Sequence, residues 1–189
     1  MWMRTLAVTL FAALAASGRA VSADLGEAVS TDERLTLFAR AVVKTGVART
    51  LREPGPYIVF APADRFLANE GSAFLLDSVL LTDANAGRLA DLVRHHIVRT
   101  HGGVVAPSGK DELQTLAGVP LVVTRVGSGL LVDCCAVVID RIAADNGLIY
   151  VVDRLLWPRD RRWQPGVNWA SGGALGREPA GDQQTLDRR

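Results

Sequence analysis

Two adjacent histidines, His95 and His96, are the residues whose type and position best suit them to chemistry. They follow an apolar stripe at helical spacing, formed by Leu89, Leu92 and Val93. His96 comes seven residues after Leu89, so the pattern predicts that His96 points into the core and that His95 lies toward the edge of that helix face. A buried imidazole without a hydrogen bond costs about 1 to 3 kcal/mol, so His96 is expected to have a partner.

Two roles are open for His96. It can act as an acid/base or binding group, or as a neutral imidazole that ties its helix to the segment around Asp64. No nucleophile in a Gly-x-Ser-x-Gly context and no pair of catalytic carboxylates accompanies it. The sequence therefore favours the structural role for His96 and Asp64, and we expect no enzymatic activity.

The three histidines of the chain, His95, His96 and His101, form a poor metal site. Neighbouring helix positions diverge by about 100°, and no carboxylate lies at the required spacing. A zinc site at Cys134 and Cys135 is disfavoured as well, because no second Cys or His pair lies at ligand spacing. We expect neither a metal ion nor a cofactor.

The two cysteines, Cys134 and Cys135, are neighbours in the chain. The Cα atoms of trans neighbours are about 3.8 Å apart, whereas a standard disulfide needs roughly 4.4 to 6.8 Å. The sequence therefore argues against an intrachain bond and favours two unpaired thiols. A disulfide-linked dimer through either cysteine stays open in an oxidising compartment, and a monomer is otherwise expected.

A small basic cluster surrounds the end of the predicted helix. It consists of Arg94, Arg99 and His101 together with His95. Such a cluster can steer an acidic glycan or protein partner, and we predict a contact surface at His95, Arg94 and Ile97. A solvated cationic rim that complements the helix C-terminal dipole explains the same charges.

The N-terminus indicates export. The chain has 189 residues and a net charge of +1, and this lack of basic excess argues against a nucleic-acid partner. Arg4, the apolar run Leu6 to Ala16 and the small residues of Val21-Ser22-Ala23 predict a signal peptide over residues 1–23. An uncleaved anchor or buried helix is the alternative, but the run is too short to span a bilayer comfortably. We expect a secreted or periplasmic protein with no stable membrane insertion after cleavage.

The C-terminal part differs in composition. Residues 159–189 are rich in Gly, Pro, Arg, Gln and Asp with little aliphatic periodicity, which predicts a disordered tail. Trp163 and Trp169 either form a contact segment or, for Trp163, fold back onto the domain edge. The domain itself is therefore predicted over residues 24–158.

The most apolar part of the chain surrounds Asn146-Gly147, which predicts a tight hairpin turn. Val137 to Ile142 would then fold back against Leu148 to Val152, which is apolar on both faces as expected of a central strand. A primed turn needs positive φ at both central residues, so Asn146 and Gly147 are assigned structural roles.

Shorter signals predict the other elements. Ser30 to Gly46 is typical of a first helix with a capping box at its start. Tyr57 to Ala61 is typical of a strand, and Asp64 is placed to cap a short helix after it. Gly127-Ser128-Gly129 predicts a hairpin loop, because a phosphate-binding loop would be followed by a helix and this one is followed by a strand.

Three segments together resemble the fasciclin domain family, over about Thr31 to Pro158. The segment Val137 to Pro158 resembles the family's second motif, and the resemblance is carried by Asn146-Gly147 and Val151-Val152-Asp153. In the Tyr-His segment, Arg94-His95-His96-Ile97-Val98 matches with His95 in the Tyr place. In the first motif, the match is Tyr57-Ile58-Val59-Phe60-Ala61-Pro62-Ala63-Asp64, with Ala63 where Thr is usual.

This resemblance implies an α+β fold in which a twisted wedge of two small β-sheets carries several helices on one side. Fasciclin domains occur in secreted and surface proteins that act in cell adhesion and matrix interaction, and no catalytic apparatus is generally associated with them. We therefore expect an exported interaction module that binds a surface protein or polysaccharide. The alternative is a small-molecule or pigment binder that uses a cleft between the helices and the sheet.

Overall fold

The computed structural model describes residues 23–69, 81–101, 109–133 and 135–159. Residues 1–22 of the predicted signal peptide and residues 160–189 of the predicted tail lie outside this part, as do Trp163 and Trp169. In the described ranges, no helix has both the length and the apolar character needed to cross a membrane.

Four α-helices are described: α1 (Leu25–Thr31), α2 (Thr36–Lys44), α3 (Asp64–Asn69) and α4 (Ala86–His95). Short 3-10 turns cover Glu33–Leu35, Thr50–Arg52 and Asp83–Asn85.

The single helix predicted from Ser30 to Gly46 is wrong, because the chain forms two helices there. Asp24 caps the first through the amide of Glu27 at 2.8 Å. Asp32 then leaves the helical conformation, and its carboxylate accepts the amide of Arg34 at 2.9 Å. An Asp that bonds the following backbone competes with helix continuation, so α1 ends before α2 begins. Gly46, with φ of 72°, follows the end of α2 as predicted.

The described ranges contain seven strands, which are β1 (Tyr57–Pro62), β2 (Ile97–Arg99), β3 (Lys110–Leu113), β4 (Leu121–Val126), β5 (Gly129–Val132), β6 (Ala136–Ala144) and β7 (Gly147–Val152). They form one mixed sheet in the order β2-β1-β7-β6-β5-β4-β3. The neighbours β1 and β7 are parallel, and the other neighbours are antiparallel. A bridge between Val98 and Thr115 connects the two sides, so the sheet wraps nearly into a barrel.

The α+β class is confirmed, and the two predicted small sheets are joined. The joining strand is β6, which pairs with β5 through Ala136 and Val137 and with β7 from Val138 onward. The predicted hairpin loop at Gly127-Ser128-Gly129 is confirmed as the β4–β5 connection, in which Val126 pairs with Gly129.

Apolar clusters cover both faces of strands β1 and β7. Tyr57, Val59 and Val151 face the helices and pack in a cluster with Phe38 and Leu92. We call this side the helix face. The opposite side, the inner face, is filled by a second cluster of Ile58, Phe60, Tyr150 and Val152 from these strands with Val98, Val123, Leu130 and Val132 from the others. A strand buried on both faces reads as a continuous apolar run, as the sequence predicted for β7.

The turn between β6 and β7 lies one residue earlier than predicted. Ala144 pairs with Gly147, so Asp145 and Asn146 form the connection. Neither Asn146 nor Gly147 has a positive φ. In the described ranges, the residues with positive φ are Asp133 and three glycines, Gly46, Gly118 and Gly127. The reason for glycine at position 147 is therefore steric, as described below.

Candidate functional site

His96 is the most fully engaged of the predicted polar residues. Its side chain is completely buried at the end of α4. The Nδ1 atom donates to the carbonyl of Leu92 at 2.8 Å, and Nε2 accepts the amide of Leu156 at 3.0 Å. Carbonyls only accept and amides only donate, so these two partners require the neutral tautomer with the proton on Nδ1. Burial lowers the pKa of His96 to about 3, against the opposing effect of the Leu92 hydrogen bond.

The hydrogen bond to Leu92 also completes the end of the helix. The amide of His96 bonds to the carbonyl of Val93 at 3.1 Å, one residue closer than in a regular α-helix turn. The carbonyl of Leu92 therefore loses its usual amide partner, and the imidazole of His96 replaces it. The prediction of a buried, hydrogen-bonded His96 is confirmed. Its side chain bonds to Leu156, beyond β7, and not to the segment around Asp64, whereas its backbone carbonyl accepts the amide of Phe60 in that first motif at 2.8 Å.

His95 was predicted to be a surface contact, and that prediction is wrong. Its side chain has 0% exposure, and neither ring nitrogen has a hydrogen-bond partner in the described residues. Burial lowers the pKa of His95, while the nearby Asp133 carboxylate and the backbone of Val119 oppose that shift. The flank that carries His95 lies against Val119 and Asp133, which are distant in the chain. Sequence spacing could not reveal this second covered flank.

The other two predicted contact residues differ from each other. Ile97 begins β2 and is completely buried, so it offers no surface for a partner. Arg94 is exposed, with 46% of its side chain accessible, and it forms an ion pair with Asp91 at 3.6 Å. Of the predicted contact set, Arg94 alone remains accessible.

Asp64 caps a helix, but a different one from that predicted. Its carboxylate accepts the amides of Thr36 at 2.9 Å and Leu37 at 3.1 Å, and also the hydroxyl of Thr36. These amides begin α2, where the helix dipole favours a negative group. Asp64 therefore joins α3 to the N-terminus of α2.

The side-chain amide of Asn146 connects its turn to two distant segments. Its oxygen accepts the amide of Leu25 at 2.9 Å, and its nitrogen donates to the carbonyls of Leu51 and Glu53, both at 2.8 Å. Its own carbonyl accepts the amide of Tyr57 at 3.0 Å. The structural role predicted for Asn146 is supported by these contacts, although the predicted φ is not.

Glycine is required at position 147 because another backbone lies against it. A Cβ atom there would overlap the carbonyl oxygen of Tyr57 and would lie 2.8 Å from the side chain of Leu25. Gly55 is constrained in the same way, because a Cβ atom at that position would overlap the carbonyl oxygen of Asn146. Sequence reasoning missed Gly55, and its signal was its place between Pro54 and Pro56.

Cys135 is disulfide-bonded, so the predicted unpaired thiol is wrong for this residue. The described ranges contain no free cysteine, and Cys134 lies outside them. No group of three or more His, Cys, Asp or Glu side chains in the described part is arranged to hold a metal ion.

These features define an α+β domain in which the predicted polar residues mainly connect helices to the sheet. The fasciclin domain model matches residues 33–158, so the chain belongs to the fasciclin domain family. The prediction of this family from three segments is confirmed.

Individual relatives are distant in sequence. The chain is 29% identical over 138 residues to an uncharacterized protein of Synechocystis sp., covering 69% of the chain and 94% of that protein. It is 28% identical over 140 residues to human periostin, covering 72% of the chain but 16% of periostin. It is also similar to a FAS1 domain pair from the insect cell adhesion molecule fasciclin I, with 16% identity and a TM-score of 0.49 over 65% of this chain and 45% of that chain.

Proposed function

We propose that this protein is an exported, non-catalytic fasciclin module that binds protein or polysaccharide at a cell surface, in the periplasm or outside the cell. The observation that carries the proposal is the family match over residues 33–158, which includes most of the described domain. The resemblance to this family implies roles in cell adhesion and matrix interaction. The match to nearly the whole length of a Synechocystis protein supports a single-domain protein of this kind.

The chemistry of the described residues supports a binding role over a catalytic one. His96 is held neutral by two backbone partners, so its imidazole has no free nitrogen for acid/base work. The basic side chains exposed near the end of α4 are Arg94, which is paired with the accessible Asp91, Arg99, which lies over the ring of Tyr57 at 5.6 Å, and His101. An exposed basic rim of this kind steers acidic partners.

The packing of the described residues argues against the alternative, a small-molecule binder with a cleft between helices and sheet. That interface is filled by side chains with 0 to 2% exposure, including Phe38, Leu89, Val59 and Val151. A groove of 660 Å³ does exist, but it is lined by Ser30, residues of α2 and Leu81, with no sheet residue.

Export and binding can be tested together. The full-length protein is expressed in a bacterium, recovered from the periplasm or medium, and its N-terminus is determined; we expect Asp24 as the first residue. The recovered protein is then titrated against washed cell-envelope protein and envelope polysaccharide at two salt concentrations. Binding that weakens as salt rises is expected, because exposed charge pairs are screened.

A double charge reversal tests whether the basic rim at the end of α4 is the binding surface. Arg94→Glu together with Arg99→Glu should weaken envelope binding, whereas Arg49→Glu, an exposed arginine after α2, should not. Retention of the protein in the cytoplasm, or absence of binding to both envelope fractions, would contradict the proposal. Equal weakening by the Arg49 control would show a general charge effect and remove the assignment to this rim.

A further inference from the structure

An open cavity of 370 Å³ lies at one end of the nearly closed barrel. Its lining comes from the sheet alone: Arg125, the β4–β5 hairpin, Leu130, residues 138–141 of β6, and Tyr150. We call this cavity the barrel mouth. It is separate from the basic rim at the end of α4, and none of its residues was singled out from the sequence as a binding residue.

A β-bulge in β6 determines which charge faces the barrel mouth. Val138 pairs with Val152 and Asp140 pairs with Val151, so Ile139 is an extra residue in the ladder. Without this residue, strict alternation from Val138 would place Asp140 on the inner face. With it, Asp140 lies on the helix face and Arg141 lies on the inner face, directly opposite Tyr150.

The ion pair of Asp140 agrees with its position on the helix face. Its carboxylate forms an ion pair with Arg34 at 2.8 Å, from the helical side of the molecule. The Arg34 guanidinium lowers the pKa of the Asp140 carboxyl group through this hydrogen bond, so the carboxylate stays charged and paired. The bulge therefore places Arg141 on the inner face, while Asp140 still contributes to the lining of the barrel mouth but has its carboxylate paired with Arg34.

A second arginine reaches the barrel mouth from β4. Leu121 and Val123 lie in the inner cluster, and Arg125 is the next residue of the same alternating row. Its cross-strand partner is Leu130, which also belongs to the inner cluster. Arg125 and Arg141 therefore extend from the inner face at the same open end, above the apolar interior.

Tyr150 forms the floor between these two arginines. Its ring stacks on Phe60, with centroids 5.6 Å apart and an interplanar angle of 21°, and only 3% of the residue is exposed. Burial raises the pKa of the Tyr150 hydroxyl, while Arg141 and Arg125 oppose that shift. The phenol is thus protonated at neutral pH and can donate a hydrogen bond to an anion.

From this arrangement we infer that the barrel mouth binds a carboxylated sugar unit of an acidic polysaccharide, with Arg141 as the anion contact and the Tyr150 hydroxyl as a donor, while Arg125 adds positive charge to the lining. Guanidinium groups bind carboxylates through paired hydrogen bonds. Leu130 and Val138 supply an apolar wall for the carbon face of a sugar ring. Because the cavity is open, a polymer can continue beyond the bound unit. This inference rests on the proposed function and names its ligand class.

The test uses trigalacturonate and its methyl ester, which has the same sugars without the charges. Binding to the full-length, exported protein is measured by titration calorimetry, with acetate as the bare carboxylate. We expect trigalacturonate to bind at least about tenfold more tightly than the ester or acetate.

Three variants locate the contact. Arg141→Gln should weaken trigalacturonate binding about tenfold or more, and Tyr150→Phe, which keeps the ring on Phe60, should weaken it about threefold or more. Arg49→Gln serves as the matched control on the helical side and should bind like the wild type. Thermal melts of each variant confirm that the fold is kept.

Several outcomes would overturn the inference. These are no binding of trigalacturonate, equal binding of the ester, full competition by equimolar acetate, or unchanged affinity in Arg141→Gln. Failure here is distinguishable from failure of the proposed function. A protein that binds the envelope but not trigalacturonate loses only the barrel-mouth assignment, whereas one that is not exported or binds no envelope fraction loses the proposed function.

Discussion

His96 and His95 are neighbours at the end of α4, and both are fully buried, but their surroundings are opposite. His96 faces the chain after β7 and uses both ring nitrogens in hydrogen bonds. His95 faces the side of Val119 and Asp133, and neither of its nitrogens is bonded to a described residue. Burial alone therefore does not indicate whether a polar residue stabilises the fold; its hydrogen-bond partners must also be known.

The contrast extends to other polar groups. The side chains of Asn146 and Asp64 have partners in distant segments, and each joins two parts of the fold. Asn146 and Asp64 are partly buried, and their hydrogen bonds to backbone groups of distant segments stabilise the contacts between those segments. His95 is the exception, and substitutions can separate it from the others.

The largest loss of stability is expected from a substitution at Gly147, because the backbone of Tyr57 lies directly against this residue. Gly147→Ala should lower the free energy of unfolding by about 3 kcal/mol or more, since its Cβ would clash with the Tyr57 backbone. The control is Gly129→Ala, another strand-initial glycine, whose Cβ meets nothing closer than 3.6 Å. Chemical denaturation measures both, and equal stability of the two variants would contradict the steric argument.

His96→Leu should be the next most costly change. It leaves the buried amide of Leu156 and the carbonyl of Leu92 without partners, for an expected loss of roughly 2 to 3 kcal/mol at pH 7.5. Denaturant unfolding curves measure this loss. A variant as stable as the wild type would show that these hydrogen bonds add no net stability.

Acid should weaken the fold through the same residue. The unfolded His96 has a pKa near 6.5, whereas burial lowers the folded value to about 3, so below pH 6.5 the unfolded state binds more protons. Stability is therefore complete above about pH 6.5 and falls as the pH drops toward 3. Between pH 6.5 and 5 the wild type should lose about 1.6 kcal/mol more than His96→Leu. Parallel pH profiles of the two proteins would be inconsistent with a neutral, buried His96.

The smallest effect, with the opposite sign, is expected at His95. His95→Leu keeps a side chain of similar size and removes two buried ring nitrogens that have no well-formed hydrogen bond in the described part, at the cost of a weak contact with the Val119 backbone, so stability should rise by at most about 1 kcal/mol. Thermal and denaturant unfolding of this variant and His96→Leu form a matched pair. Equal losses in both variants would mean that the His95 imidazole has stabilising partners of its own.

The sequence predicted the parts of this fold that depend on periodicity and composition. The two-faced strand β7, the inward position of His96 and the Gly127-Ser128-Gly129 loop follow from local patterns. The exposure of His95 was predicted wrongly, because the second flank of α4 is covered by residues far away in the chain. Spacing within one helix carries no information about such a neighbour.

The barrel mouth was hidden from the sequence for a different reason. Strict alternation along β6 assigns Asp140 to the inner face and Arg141 to the opposite one, and the bulge at Ile139 reverses both. No local signal marks this extra residue. The steric role of Gly147 was similarly missed, since the Asn-Gly pair indicated a turn and concealed the backbone of Tyr57 beside it.

The parallel pairing of β1 with β7 affects how the protein can be made. Tyr57 to Pro62 obtain these backbone partners only when the chain has been extended through Val152. A chain that stops before Gly147 would leave β1, apolar on both sides, without its neighbour, and an uncovered apolar edge of this kind promotes aggregation. Pairing between segments this far apart in the chain also slows folding.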